Sequence, residues 1–191
     1  MTEKYHINPA SGEVSKCSAQ VGICPFGADD NHYSTKEGAA AAYEEQMRAR
    51  HSFVGSVSPI ANYWGVHVAE SSIHASIESF RRLVGPEAEA LEAAKEARDR
   101  GRHYHLTVVT PPEMKSVENL SSPPTHVVIE PIGIGFAEDG NNRAYFIVCT
   151  SEEIAQWRED NSLPPKDLHV TLGFQNKDVH TRPKGISSLV A

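Results

Sequence analysis

The sequence predicts an α+β fold with a small N-terminal appendage, and three observations carry that expectation. From about residue 60, a strand-like segment, helices, a second strand, a strand pair, a further helix and a last strand follow one another. Two of those strands, "HYHLTVVT" at 103–110 and "DLHVTLGF" at 167–174, repeat one histidine-threonine pattern, so the domain reads as two halves that each end in a histidine strand. The first fifty residues, by contrast, are rich in turn formers and short of long apolar stretches.

Taken in order, "KYHINPASGEVSKCSAQVGICPFGADDNHYS" predicts a hairpin with turns, followed by a helix. Ser34 and Glu37 form a capping box for that helix; Ala40, Tyr43 and Met47 recur at helical spacing, and Arg48 and Arg50 fall in the last turn. A linker is expected near "GSVSP", 55–59, which separates a hairpin-helix module, residues 1–55, from a main domain, residues 56–191. That domain opens with the strand "ANYWGVHV". In "SSIHASIESFRRLVG", Ile73, Ile77, Phe80 and Val84 repeat by four, three and four, predicting a helix that Gly85 ends. Pro86 opens the next helix and Gly101 is its natural stop.

After the first histidine strand, "THVVIEPIGIGFAEDGNNRAYFIVCT" predicts two strands joined at Asp139-Gly140. Val127, Ile129, Ile132, Ile134 and Phe136 supply buried positions, and Pro131 marks an edge or a bulge. "TSEEIAQWRED" predicts a helix with Thr150 and Glu153 as its capping box, stopped near Asn161 and Pro164. The second histidine strand follows directly.

Ten histidines and eight threonines in 191 residues would place Thr two positions after His about 0.4 times by chance. Two cases are found, both in strand context. Side chains alternate along a strand, so His105 and Thr107 share one face while Leu106 and Val108 take the other; His169 and Thr171 stand likewise against Val170 and Leu172. With the apolar faces in the core, the polar faces are free to line one groove. Two histidines flanking a phosphorus atom can run an in-line displacement, a neutral one taking a proton from water and a protonated one giving a proton to the departing oxygen. Threonine hydroxyls would hold the non-bridging oxygens. Imidazole suits both roles, because its ordinary pKa of about 6.5 lies near working pH. Tyr104, His103 and Tyr145 are further candidates for contact with substrate, although packing is the better account of each; His180, just past the second strand, is another, and a surface loop explains it at least as well.

The two segments "HLTV" and "HVTL" resemble the signature of the two-histidine phosphoesterase superfamily, the LigT-like cyclic phosphodiesterases, over roughly residues 60–185. The resemblance implies a bilobal α+β fold, with two antiparallel-sheet halves around a central groove, and metal-independent cleavage of 2′,3′-cyclic or related phosphates. It implies that His105 is the general acid and His169 the general base, with Thr107 and Thr171 at the phosphate-holding positions. The expected substrate is a cyclic phosphate on an RNA end or a small nucleotide. Another cyclic nucleotide, such as a cyclic oligonucleotide signal or cyclic ADP-ribose phosphate, is the first alternative. A non-catalytic nucleotide- or RNA-binding module is the second.

Charge and cysteine usage bound the partners. A formal charge of −7 gives no field that attracts long duplex nucleic acid. No run approaches the ~18 apolar residues of a membrane helix and the N-terminus lacks a secretory apolar segment, so a cytoplasmic protein is expected. Three cysteines, an odd count without an export signal, argue for reduced thiols or a metal site over disulfides. Cys17 and Cys24, with His32 after them and His6 on the preceding strand, offer four ligands for a tetrahedral zinc, although the spacing is not a tight CxxC pair. The competing expectation is a turn-rich module with buried thiols. Catalysis itself is expected to need no cofactor.

Overall fold

The structure, a computed structural model, describes residues 4–8, 13–17, 24, 32–101, 103–116 and 120–190, with the backbone alone given for 44–51. The chain forms two compact units, residues 1–50 and 51–191.

In the first unit, β1 (Tyr5–Ile7) lies between β2 (Val14–Lys16) and β3 (His32–Tyr33) in an antiparallel sheet. The helix α1 (Lys36–His51) follows. Thr35 Oγ1 accepts from the Gly38 amide at 3.0 Å, so the residue capping α1 is Thr35, one position after the expected Ser34. The Met47, Arg48 and Arg50 side chains, expected on its last turns, lie outside the described residues. Among the described residues, the buried apolar side chains of this unit are Ile7 and Ala39.

The second unit is one seven-stranded sheet with helices against it, an α+β fold as expected. Its strands are β4 (Phe53–Gly55), β5 (Val57–Ile60), β6 (Tyr63–Val68), β7 (Tyr104–Val109), β8 (Val127–Asp139), β9 (Asn142–Thr150) and β10 (Leu168–Gln175). They lie in the order β4-β8-β9-β10-β7-β6-β5, every neighbouring pair antiparallel. The stretch expected as a linker at 55–59 is part of this sheet. Val57 is buried there, and Pro59 is tolerated because β5 is an edge strand.

The helices are α2 (His74–Val84), α3 (Ala88–Asp99), α4 (Pro111–Ser116) and α5 (Glu152–Asp160). Ile77 and Phe80 bury the apolar stripe of α2, and Gly85, at φ 68°, ends it as predicted. Arg100, not Gly101, takes the left-handed position after α3 (φ 57°). The cap of α5 is Ser151, whose Oγ accepts from the Ile154 amide; Thr150 is the last residue of β9, so its side chain belongs to the ladder. Pro131 sits at a bulge in β8, and β8 and β9 are joined at Asp139-Gly140 as the sequence indicates.

One core cluster takes Leu106, Val108, Val170 and Leu172 from the histidine strands, together with Ile73, Ile77, Phe80, Leu91, Ile154 and Trp157 from the helices and the turns before them. A smaller one joins Ala137, Ala144, Phe146, Val148, Phe174 and Val179. Phe146 and Val148 pair with Thr171 and His169, so this second cluster supports the polar face of β10.

Candidate active site

The two histidine strands are neighbours at the middle of the sheet, antiparallel, with Val170 opposite Leu106. Counting outward from that pair sets His169 across from Thr107 and Thr171 across from His105, all four on one face. The histidines are then diagonal neighbours with Cβ atoms about 7–8 Å apart, a gap that a tetrahedral phosphate fills. All four side chains line one cavity of about 630 Å³.

His169 is held in one tautomer. Its Nδ1 lies 3.0 Å from the carbonyl oxygen of Asp167, which can only accept, so Nδ1 carries the proton and Nε2 keeps a lone pair toward the cavity. The Phe146 ring packs edge-on, with centroids 5.6 Å apart. Burial, and after it the charge of Lys184, push the His169 pKa down to about 4. At neutral pH the ring is an uncharged proton acceptor.

His105 sits in a different field. Burial lowers its pKa too, but the carboxylate of Asp99 opposes the shift by favouring imidazolium. Tyr63 packs over it with ring centroids 5.6 Å apart, and His67 stands directly across on β6.

Between the strands and the C-terminal segment lies a buried charge network. Asp178, 7 % exposed, accepts from Lys184 Nζ at 2.8 Å, from Arg98 Nη1 at 3.1 Å and from Thr171 Oγ1 at 3.2 Å. Burial would raise the Asp178 carboxyl, but Lys184 holds it below the ordinary range. Lys184, 4 % exposed, also lies over the Phe146 ring, 5.1 Å from its centroid. Arg98 Nε also pairs with Asp99 at 2.7 Å, so Lys184 and Arg98 are matched in charge by Asp178 and Asp99, and what this wall offers an anionic phosphate is charged N–H donors and not a net positive field.

At the far end of β7, Glu113 accepts from the Thr110 amide and hydroxyl, both at 2.7 Å, and pairs with the buried Arg158 at 2.6 Å. Arg158 also donates to the carbonyls of Val108 and Pro164, tying β7, α4, α5 and the approach to β10 together. Although burial pushes the Glu113 carboxyl up, these partners bring it down to about 2.

The remaining expected contacts divide. His180 lines the cavity from its exposed rim. Tyr104 does not, because alternation along β7 turns it to the opposite face, where it is buried in the main core with Lys95 Nζ 4.4 Å from its ring centroid. Tyr145 packs between Phe80 and Phe136 on that same core side, and His103 precedes β7 and gives its carbonyl to Lys95. Packing therefore accounts for the two tyrosines, and His103 is an exposed residue outside the residues that line the cavity.

A family model described as "Swiss Army Knife, 2H phosphoesterase domain" matches residues 74–180. The chain belongs to the 2H phosphoesterase family. The match covers more than half of the chain and spans both histidine strands, while residues 1–50 lie outside it. No curated protein and no solved structure matches the chain. Membership makes the second unit a phosphodiesterase-type hydrolase acting on a nucleotide-type substrate.

The cavity of this 2H phosphoesterase also holds residues that sequence reading passes over: Lys184, Arg98, Asp178, Asp99 and Tyr63. Arg98 and Asp178 are 80 positions apart and meet only in the folded chain. In sequence, "EARDR" is an ordinary charged helix end and "RPKG" an ordinary surface turn. Both H-x-T segments also announce their chemistry by strand alternation, whereas these ions carry no local pattern.

Proposed function

We propose that this 2H phosphoesterase hydrolyses 2′,3′-cyclic phosphates of RNA ends or small nucleotides by paired-histidine acid/base catalysis without a metal. The observation that carries the reading is the placement of His105, Thr107, His169 and Thr171 on one face of two adjacent strands, around one cavity that Lys184 and Arg98 also line. His169 Nε2 takes a proton from water; the oxygen attacks phosphorus as the bond to one ribose oxygen breaks, and His105 gives its proton to that oxygen. The product is a ribose phosphomonoester, and exchange with solvent returns the two rings to their starting states. The low pKa of His169 supports the base assignment. Asp99, joined by the charge of the bound phosphate, favours the protonated His105 that the acid role needs.

Thr107 donates to a non-bridging oxygen. Thr171, which donates to Asp178, swings its hydroxyl to the phosphate while Lys184 and Arg98 keep that carboxylate satisfied. Lys184 and Arg98, though paired with Asp178 and Asp99, aim further N–H donors at the five-coordinate transition state.

The test is a panel of 2′,3′-cyclic mononucleotides, RNA with a cyclic-phosphate end, cyclic dinucleotides and cyclic ADP-ribose phosphate, scored for turnover and product isomer with and without EDTA. The expected result is EDTA-resistant opening of a 2′,3′-cyclic phosphate, with His105→Ala and His169→Ala each losing at least about a hundredfold in kcat. Turnover confined to another cyclic nucleotide would move the substrate assignment. Saturable binding without turnover would make the unit a binding module, and loss of activity on chelation with recovery on adding a divalent metal would overturn the metal-free chemistry.

A further inference from the structure

We infer that the first unit is built around a zinc ion held by His6, Cys17, Cys24 and His32. One ligand atom from each of these four residues can be chosen so that all lie within 4.8 Å of one another. Two of the edges are tighter: His6 Nδ1 to Cys24 Sγ is 3.7 Å and His32 Nε2 to Cys17 Sγ is 3.3 Å. In a zinc tetrahedron with Zn–N near 2.05 Å and Zn–S near 2.3 Å, the nitrogen-sulfur edge is about 3.6 Å. The two close edges bracket that value, and no edge of the set is longer than 4.8 Å.

The sheet explains how so open a sequence spacing closes. His6 on β1 is directly opposite both His32 on β3 and Ser15 on β2, so these three share a face. Cys17, two residues beyond Ser15 and tied back by its amide to the Lys4 carbonyl at 2.8 Å, continues that face. Cys24 comes in from the segment between β2 and β3. Two strands, the residue just past a third and one connection thus supply one ligand each, and the rings of His6 and His32 meet edge-on, 6.1 Å apart.

The second nitrogen of His6 strengthens the assignment. Nε2 lies 3.0 Å from Ser15 Oγ, a hydroxyl able to accept from that nitrogen when Nδ1 is given to the metal. Ser15 is thereby a positioning residue. Two thiolates with two imidazoles select zinc over hard cations such as Mg²⁺ or Ca²⁺, which want oxygen ligands. The unit also has a structural use for it. Among its described residues only Ile7 and Ala39 are buried apolar side chains, and a domain of this size without a large core gains its stability from a staple such as a metal.

The full-length protein, purified without chelator, is analysed for metal, and its zinc is then exchanged for Co²⁺. One equivalent of zinc per chain, released to a chromogenic chelator when the thiols are modified, is the expected result. The Co²⁺ form should show the thiolate charge-transfer and strong visible bands of a tetrahedral site, lost in Cys17→Ser/Cys24→Ser. Ser15→Ala, which keeps all four ligands, should bind zinc about 10- to 100-fold more weakly. Less than about a tenth of an equivalent of zinc with no Co²⁺ spectrum, a Cys17–Cys24 disulfide in protein isolated without reductant, or undiminished zinc in the double serine variant would each overturn the site. Unchanged affinity in Ser15→Ala would overturn the assignment of the His6 nitrogens.

Discussion

Acidification should destabilise the second unit through His169 in a way that can be measured without knowing the substrate. Burial and Lys184 bring the folded-state pKa of His169 to about 4, whereas the unfolded chain exposes an ordinary imidazole near 6.5. Because the folded pKa is the lower one, the unfolded state binds the proton first. The group costs nothing above about pH 6.5, its penalty grows as pH falls toward 4, and it levels off below that. With one pKa unit equal to 1.36 kcal/mol, the loss is about 2 kcal/mol by pH 5 and about 3 kcal/mol by pH 4. His169→Asn removes the titration while leaving an amide near the Nδ1 position to donate to the Asp167 carbonyl. Both tryptophans, Trp64 and Trp157, lie in the second unit with ring centroids 5.8 Å apart, so fluorescence during urea unfolding reports on the right part of the chain. At a urea slope of about 2 kcal/mol/M, the wild-type midpoint should fall about 1 M further than that of the variant between pH 7 and pH 5. Parallel pH dependence of the two proteins would refute the claim that this ring is held neutral by its surroundings.

Lys184→Met should raise the pH of the acidic limb of kcat/KM, since Lys184 lowers the His169 pKa, and should cut kcat/KM about 10- to 100-fold through loss of a charged contact to phosphate; a pH profile identical to wild type would count against it. Arg158→Met leaves the half-buried Glu113 carboxylate with Thr110 as its partner and strands the Val108 and Pro164 carbonyls, so thermal unfolding should reveal a loss of about 1–3 kcal/mol, and a loss within error of zero would contradict the network described. Gly173→Ala would drive a Cβ to 2.8 Å from the Leu91 backbone, forcing α3 away from β10 at a cost of about 1–3 kcal/mol; an unchanged melting temperature would show that the two elements are less closely packed than the structure has them.

The H-x-T strands were legible because alternation puts chemistry and core on opposite faces, and a short stretch states both. Leu106 and Val170 being fully buried while His105 and His169 are only half-buried is that pattern realised. The Asp139-Gly140 hairpin and the Gly85 stop were legible for a similar local reason: each needs one residue in the left-handed region, and glycine supplies it. Caps were less so. At Thr35 and Ser151 the side chain that accepts the amide lies one position from the residue expected, because adjacent hydroxyls compete and sheet pairing takes Thr150. Strands β4 and β5 escaped notice because serine, glycine and proline in "GSVSP" read as a break, yet at a sheet edge such residues still pair. The ionic wall was invisible, since nothing local links Arg98, Asp178 and Lys184.

An antiparallel ladder has a local twofold axis, and here it passes through the Val170–Leu106 pair. Rotation about it exchanges His105 with His169 and Thr107 with Thr171, so the two strands offer a substrate the same face in either orientation. The reaction has a direction; the ladder has none. What breaks the tie is the unlike company on the two sides, Lys184, Asp178 and Lys166 near one ring and Asp99, Lys95 and Arg98 near the other. Which histidine serves as acid and which as base in the proposed reaction is on this view decided by charges on α3 and around β10. Exchanging those charges should therefore exchange which histidine acts as acid and which as base, with both histidine strands left untouched.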